Sequence, residues 1–396
     1  MRVAIVHYWL VEMRGGERVV EALCELFPDA DVFVNVYDPT AASSTIARHR
    51  VRTTFVDRLP FARRLLATYL PLMPLALEQL DLRGYDLIVS SESGPAKGVI
   101  VPLGARHICY CHSPMRYLWD MYHEYLARVG PLARLPMRLA AHYLRAWDVT
   151  SASRVDQFVA NSEHTRRRIA QYYRRDAEVV SPPVNVAELR SRARHGEGVE
   201  DFYLLAGQLT AYKRPDLAVR AFSRLGRPLV VLGRGEELAK LRRLAGPNVR
   251  FLGWQPDDVL HDHLARCRAL VFPGEEDFGI LPAECMAAGR PVIAFGRGGA
   301  LETVADGETG VLFGEQTEES LVRAVERFEA LEPSLDTRRI AAHAAAFDRE
   351  AFKARFRAVA DRVMAASPGA ATPGAPAARG GELPQAPRRS VRATSG

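Results

Sequence analysis

Short apolar runs alternate with helically spaced stretches along most of the chain. Val3-Ala4-Ile5-Val6 stops at a polar turn containing Gly15 and Gly16, and the segment Arg18–Leu23 then shows the spacing of a helix face. A buried strand, a glycine turn and a helix open a parallel α/β unit. The runs Val32–Val36, Leu87–Ser90, His107–Tyr110 and Gln157–Ala160 repeat it, with helical stretches predicted over Arg63–Leu80 and Leu132–Ser153. Past Ser181-Pro182-Pro183-Val184 the chain turns polar and charged through Glu188–Asp201. A second series follows, with strands predicted at Phe202–Ala206, Leu229–Leu232, Val249–Phe251, Ala269–Phe272, Val292–Ala294 and Val311–Phe313. The pattern predicts an α/β protein with two doubly wound parallel sheets, in domains 1–182 and 183–347. One amphipathic helix (348–366) and a tail (367–396) without aromatic residues, predicted to be disordered, complete the chain.

Composition narrows the classes. The 396 residues exceed one ordinary core, in keeping with two domains. No apolar run approaches the ~18–20 residues that span a bilayer. The N-terminus does not read as a signal peptide, and five cysteines without one point to a reducing cytoplasm. The tail holds four arginines and one glutamate, so half of the formal +6 lies there. The remainder is too weakly basic to suggest a nucleic-acid partner. Only four of 53 basic residues are lysines (Lys97, Lys213, Lys240 and Lys353), so a lysine inside a motif carries more weight.

The loops after strands hold the chemistry, because two facing doubly wound domains bind ligands at their strands' carboxyl ends. The run from Phe272 to Gly289 combines a strand end, an acidic loop with Glu276, Gly279, a helix opening through Pro282, and a closing glycine. Amides of Gly279, Ile280 and Leu281 at that helix start suit a phosphate. Glu284 is placed in the helix's first turn, and the two glutamates suit sugar hydroxyls. A helix cap and a solvated loop charge are their plain structural alternatives. Gly15 and Gly16 let amides approach a ligand closely, or serve a turn needing positive φ. Asp29-Ala30-Asp31 reads as a turn, and Gly233-Arg234-Gly235 lacks the third glycine of a dinucleotide fingerprint. No second Cys or His pair accompanies Cys109, Cys111 and His112, so no metal site is expected.

Glu276 and Glu284, with seven residues between them, resemble the Glu-x7-Glu motif of retaining glycosyltransferases of family 4, whose fold is GT-B (two Rossmann-like domains). The resemblance extends through Pro291–Ala294, Gly296–Gly299, Gly310–Phe313, Val159–Ser162, Pro183-Val184 and Gly253-Trp254. The stretch Tyr110–Asp120 is similar to the mannosyltransferase-like branch of surface-polysaccharide assembly. The resemblance implies hexose transfer from a nucleotide-diphospho sugar, GDP-mannose first and a UDP-sugar second, to a saccharide or lipid-linked acceptor, without cofactor or metal. It implies catalytic roles for His112, Lys213 and Glu276. Donor binding would fall to Gly15, Gly16, Gln208, Lys213, Arg214, Gly279, Ile280, Leu281 and Glu284. Gln208 stands where the family commonly has arginine, a place for which Arg214 is the expected compensation. A nucleotide-sugar epimerase and a non-catalytic nucleotide-sugar binding subunit stay open as alternatives. Arg58–Leu80 mixes arginines with large apolar residues, and so fits either peripheral contact with an anionic membrane or a core helix with a charged outer face. Arg166–Arg168 and Arg174-Arg175 would extend such a surface.

Overall fold

A computed structural model describes residues 1–193 and 198–366. The tail expected to be disordered lies outside the described residues. The first sheet comprises β1 (Val3–His7), β2 (Asp31–Val34), β3 (Val51–Thr53), β4 (Leu87–Glu92), β5 (Arg106–Cys111), β6 (Gln157–Ala160) and β7 (Ala177–Val179). Its order is β3-β2-β1-β4-β5-β6-β7, all parallel. The second comprises β8 (Tyr203–Ala206), β9 (Leu229–Leu232), β10 (Val249–Gly253), β11 (Leu270–Phe272), β12 (Val292–Phe295) and β13 (Gly310–Phe313). Its order is β10-β9-β8-β11-β12-β13, again parallel.

Both strand faces are covered, which is why the strands read as continuous apolar runs. In the first lobe Ile5, Val89 and Tyr110 pack with Val19, Val20 and Leu23 of the first helix (Gly15–Leu26), while Ala4, Val6 and Ile88 pack with Leu77, Leu82 and Tyr85. The final helix, Arg349–Ala365, crosses back and buries Phe352 and Phe356 in the first lobe's core, ~1.5–3 kcal/mol for each ring. In the second lobe Leu204, Val230 and Leu232 face one cluster, and Tyr203, Leu205 and Val231 the other.

Three local features differ from the sequence pattern. Strands β3 and β7 escaped notice because both are three-residue edge strands carrying Arg52, Thr53 and Glu178 instead of an apolar run. The helix expected over Arg63–Leu80 is broken into Leu66–Tyr69, a 3₁₀ turn Leu70–Leu72 and Met73–Glu78. Pro71 and Pro74 lack the amide that would continue the ladder. The segment Arg166–Arg168 is not a free basic strip: Arg166 pairs with Glu163 at 2.7 Å, and Arg168 is buried against Asp120 and Asp277.

The strand orders locate the crevices. Each sheet reverses direction beside its first strand, between β1 and β4 in one lobe and between β8 and β11 in the other. Loops leaving those strands part on opposite faces and open a ligand crevice. The loops after β1, β5, β8 and β11, with the helices that they lead into, carry the residues expected to act in catalysis or donor binding.

Candidate functional site

Strand β11 ends at Phe272, and the acidic loop passes Glu275, Glu276 and Asp277 to Gly279. Gly279, at φ +87°, caps the helix Ile280–Ala287, a backbone conformation that disfavours any side chain. The amides of Ile280 and Leu281 open the helix and have no acceptor within it, so the dipole's positive end faces the cleft. Gly289, at φ +75°, follows the helix as its left-handed terminator. Glu284 sits in the second turn, not the first, because the helix begins at Ile280. It is buried, and desolvation pushes its carboxyl up to about 7 despite the neighbouring Arg18 guanidinium.

Lys213 ends a 3₁₀ turn, Ala211–Lys213, in the loop after β8, and its Nζ lies 2.8 Å from Glu276 Oε1. Burial disfavours the ammonium, but the Glu276 carboxylate and Tyr212 outweigh it and hold Lys213 above its ordinary value. Gly274 lets the loops meet, since a Cβ there would lie 2.7 Å from Lys213 Cα. Gln208, Leu209, Lys213, Gly274 and Glu276 line one narrow cleft. Arg214 (φ +52°) instead turns its Nε onto Asp216 Oδ1 at 3.2 Å. It is Arg14 of the first lobe that reaches Gln208: with the amide oxygen facing the guanidinium, Nη2 donates at 2.8 Å.

Gly15 and Gly16 are the first two residues of their helix rather than a loop, and neither has positive φ. Close approach explains both. A Cβ on Gly15 would fall 2.6 Å from Ile280 Cδ1 of the other lobe, and one on Gly16 2.9 Å from the Tyr8 hydroxyl and 3.6 Å from His112 Nε2. The His112 Nε2 and Ser91 Oγ lie 2.8 Å apart, and its carbonyl accepts from Asn161 Nδ2 at 2.9 Å. Desolvation, then the neighbouring His7, drops its imidazole to about 3, so it is neutral at physiological pH.

The site residues therefore gather on both walls of one gap, which further pairs cross. Arg18 meets Asp257 at 2.6 Å, Arg234 meets Glu12 at 3.3 Å, and Arg116 meets Asp277 at 3.6 Å. Glu302 accepts the first amides of the helix Glu163–Tyr173, from Glu163 at 2.7 Å and His164 at 2.9 Å. Sequence reasoning missed Arg14, Ser91, Arg168 and Asp277 as site residues. Arg14 adjoins the glycine pair and Asp277 follows Glu276, but only tertiary contact reveals their partners. Among the described residues no three His, Cys, Asp or Glu side chains are grouped to hold a metal ion.

The fold and this gap define a two-lobed α/β protein whose candidate ligand crevice lies between two parallel sheets. Residues 13–188 match Glycosyltransferase Family 4, and residues 189–346 match Glycosyl transferases group 1. Taken together these matches run without a break from 13 to 346, and the chain belongs to the glycosyltransferases they describe. It is 30% identical over 206 residues to a D-inositol 3-phosphate glycosyltransferase of Streptomyces bingchenggensis, covering 44% of this chain and 45% of that protein. It is 29% identical over 232 residues to a GDP-mannose-dependent alpha-(1-6)-phosphatidylinositol monomannoside mannosyltransferase of Mycolicibacterium smegmatis, covering 47% of this chain and 60% of that protein. The chain spans about half the length of the curated relatives it matches. Sucrose-phosphate synthase from Thermosynechococcus elongatus superposes with a TM-score of 0.69 at 18% identity, over 93% of this chain and 100% of that one. Anabaena HepE in complex with UDP and glucose gives 0.64 at 16% identity, over 90% and 99%. These likenesses establish the GT-B fold.

Proposed function

We propose that this protein is a retaining glycosyltransferase that moves a hexose from a nucleoside-diphospho sugar to a hydroxyl acceptor. The observation that carries the reading is the Lys213–Glu276 pair, 2.8 Å apart, beside the opening turn of the helix Ile280–Ala287 and between two switch-point crevices. In the reaction the bond from the sugar's anomeric carbon to the diphosphate breaks as the acceptor oxygen bonds from the same face. The acceptor's proton leaves on a phosphate oxygen. Negative charge grows on the departing diphosphate, where Lys213 and the amides of Gly279, Ile280 and Leu281 stabilise it. Glu276 and the neutral His112 hold sugar hydroxyls, and Glu284 the ribose hydroxyls. These cationic and dipolar groups supply the charge without a divalent metal, so transfer should be unchanged in excess chelator.

GDP-mannose is the first donor to try, supported by the resemblance at Tyr110–Asp120 and by the name of the M. smegmatis relative. A UDP-sugar is the second. A melting-temperature screen with GDP-, UDP- and ADP-sugars tests this, because binding to the folded state raises its midpoint. No stabilisation by any of them, and no transfer, would refute the reading.

The acceptor is a saccharide, presented in the lipid-linked case at an anionic membrane face. The helix Pro131–Ala152 supports this: Leu132, Leu135, Leu139 and Tyr143 are exposed at helical spacing, beside Arg134 and Arg138. From 129 to 147 the sequence has three arginines and no carboxylate. Exposed Leu65, Leu72 and Leu75 come from the broken 63–80 segment and exposed Phe61 lies just before it, while Leu70 of the segment packs into the same cluster as Ala141 and Leu144. Flotation with anionic vesicles should carry the protein, and L135D/L139D should abolish it; equal flotation of both proteins would remove the membrane from the reading. No helix among the described residues is long and apolar enough to cross a bilayer.

A further inference from the structure

We infer that Arg14, on the lobe opposite Lys213, is a second diphosphate-binding cation and ties donor binding to the meeting of the lobes. The inference rests on the donor reading above. Arg14 caps the first helix immediately before Gly15, its amide donating to Glu17 Oε2 at 3.1 Å. Its guanidinium crosses the gap to the Gln208 amide, 2.8 Å away. Gln208 follows Gly207, where a Cβ would stand 3.9 Å from Lys213 Nζ. The next residue after Arg14 is Gly15, whose Cβ would collide with Ile280 at the mouth of the second-lobe helix. Arg14, Gln208, Lys213 and the amides of that helix thus surround one place.

Charge shows why a second cation matters there. A nucleoside diphosphate brings at least two negative charges, while Lys213 is already opposed by Glu276. Gln208 brings no charge, its amide oxygen accepting from Arg14, and Arg214 is turned onto Asp216. Arg14 supplies five N–H donors in a rigid fork that suits phosphate oxygens. Besides Gln208, its ionic partner is Glu12, which also holds Arg234 at 3.3 Å, so a phosphate takes Arg14 without leaving that carboxylate unpaired. Because Arg14 and Lys213 ride on different sheets, both reach one diphosphate only while the lobes are together. Opening then withdraws one cation and favours product release.

The test compares wild type, R14A and R14A/Q208R by calorimetry with GDP and UDP, alongside initial rates of transfer. Arg14 is half-exposed, so R14A should melt close to wild type. R14A should bind the better diphosphate ~10–100-fold more weakly, the worth of a charge-assisted contact. The double variant, which returns a guanidinium from the opposite wall, should recover most of that loss in equilibrium binding. Unchanged affinity in R14A, or no recovery in R14A/Q208R, would overturn the inference while leaving the donor reading intact. Failure of wild type to bind either diphosphate would instead strike the donor reading itself.

Discussion

Replacing Glu284 by glutamine should stabilise the protein at alkaline pH while weakening its hold on a donor. The carboxyl is buried and pushed up from 4.5 to about 7, so the fold favours its protonated form. That difference corresponds to about 3 kcal/mol. Between those two values the folded state binds more protons than the unfolded one, so stability falls as pH rises through the window. Below about 4.5 this group costs nothing, and above about 7 the whole penalty is present. Glutamine keeps the shape and carries no charge. Urea unfolding at pH 5 and pH 8 should therefore show E284Q gaining up to ~3 kcal/mol over wild type at pH 8, and little at pH 5. Ribose hydroxyls donating to the carboxylate favour its ionised form, so a nucleoside diphosphate should bind wild type with release of a proton near pH 6. Calorimetry in buffers of different ionisation enthalpy counts that proton, and E284Q should release none at this site. An E284Q variant no more stable than wild type at pH 8, or proton release equal in the two, would refute the reasoning.

Lys213→Ala should lower transfer at least ~10²-fold, the effect of losing one preorganised charge stabiliser, with melting little changed because the pair is partly exposed; turnover near wild type removes Lys213 from the mechanism. Lys97→Met should destabilise by ~3–5 kcal/mol, since it strands the buried carboxylates of Glu92 and Asp148, and chemical denaturation measures the loss. Arg168→Ala breaks the contact to Asp277 that crosses the gap, along with the one to Asp120 within the first lobe, and should loosen the lobes. Small-angle scattering should then show a larger radius for the variant; an unchanged radius would deny those contacts a part in closure.

Much of this architecture was legible because parallel strands covered on both faces write themselves as uninterrupted apolar runs. β6 and β9 have the bounds their sequence predicts, and the other apolar strands differ by only one or two residues at an end. What escaped was set by neighbours rather than by local pattern. The edges β3 and β7 need no apolar run, and two prolines cut a stretch whose spacing alone suggested a helix. The scarcity of lysine was informative in an unplanned way. Lys213 faces Glu276 in the cleft, and Lys97 is wholly buried between two carboxylates, while Lys240 and Lys353 form ordinary surface pairs. The glycine pair shows the same limit. The sequence marks Gly15 and Gly16 as special, but the cause is steric: for Gly15 it lies in Ile280, some 265 positions away, and for Gly16 in Tyr8 and His112. Pairings such as Arg14 with Gln208 join two lobes, and no spacing along one chain announces them.

The contact between Lys213 and Glu276 has a further consequence. An ammonium already matched by a carboxylate from its own polypeptide offers little to a lone phosphate or sulfate ion, which would have to evict that resident partner with a single anionic group. A larger visitor, anchored simultaneously by base, ribose and pyranose, can force the exchange. If Glu276 holds the sugar as proposed, the same glutamate doubles as a gatekeeper against the small inorganic anions of the surrounding solution.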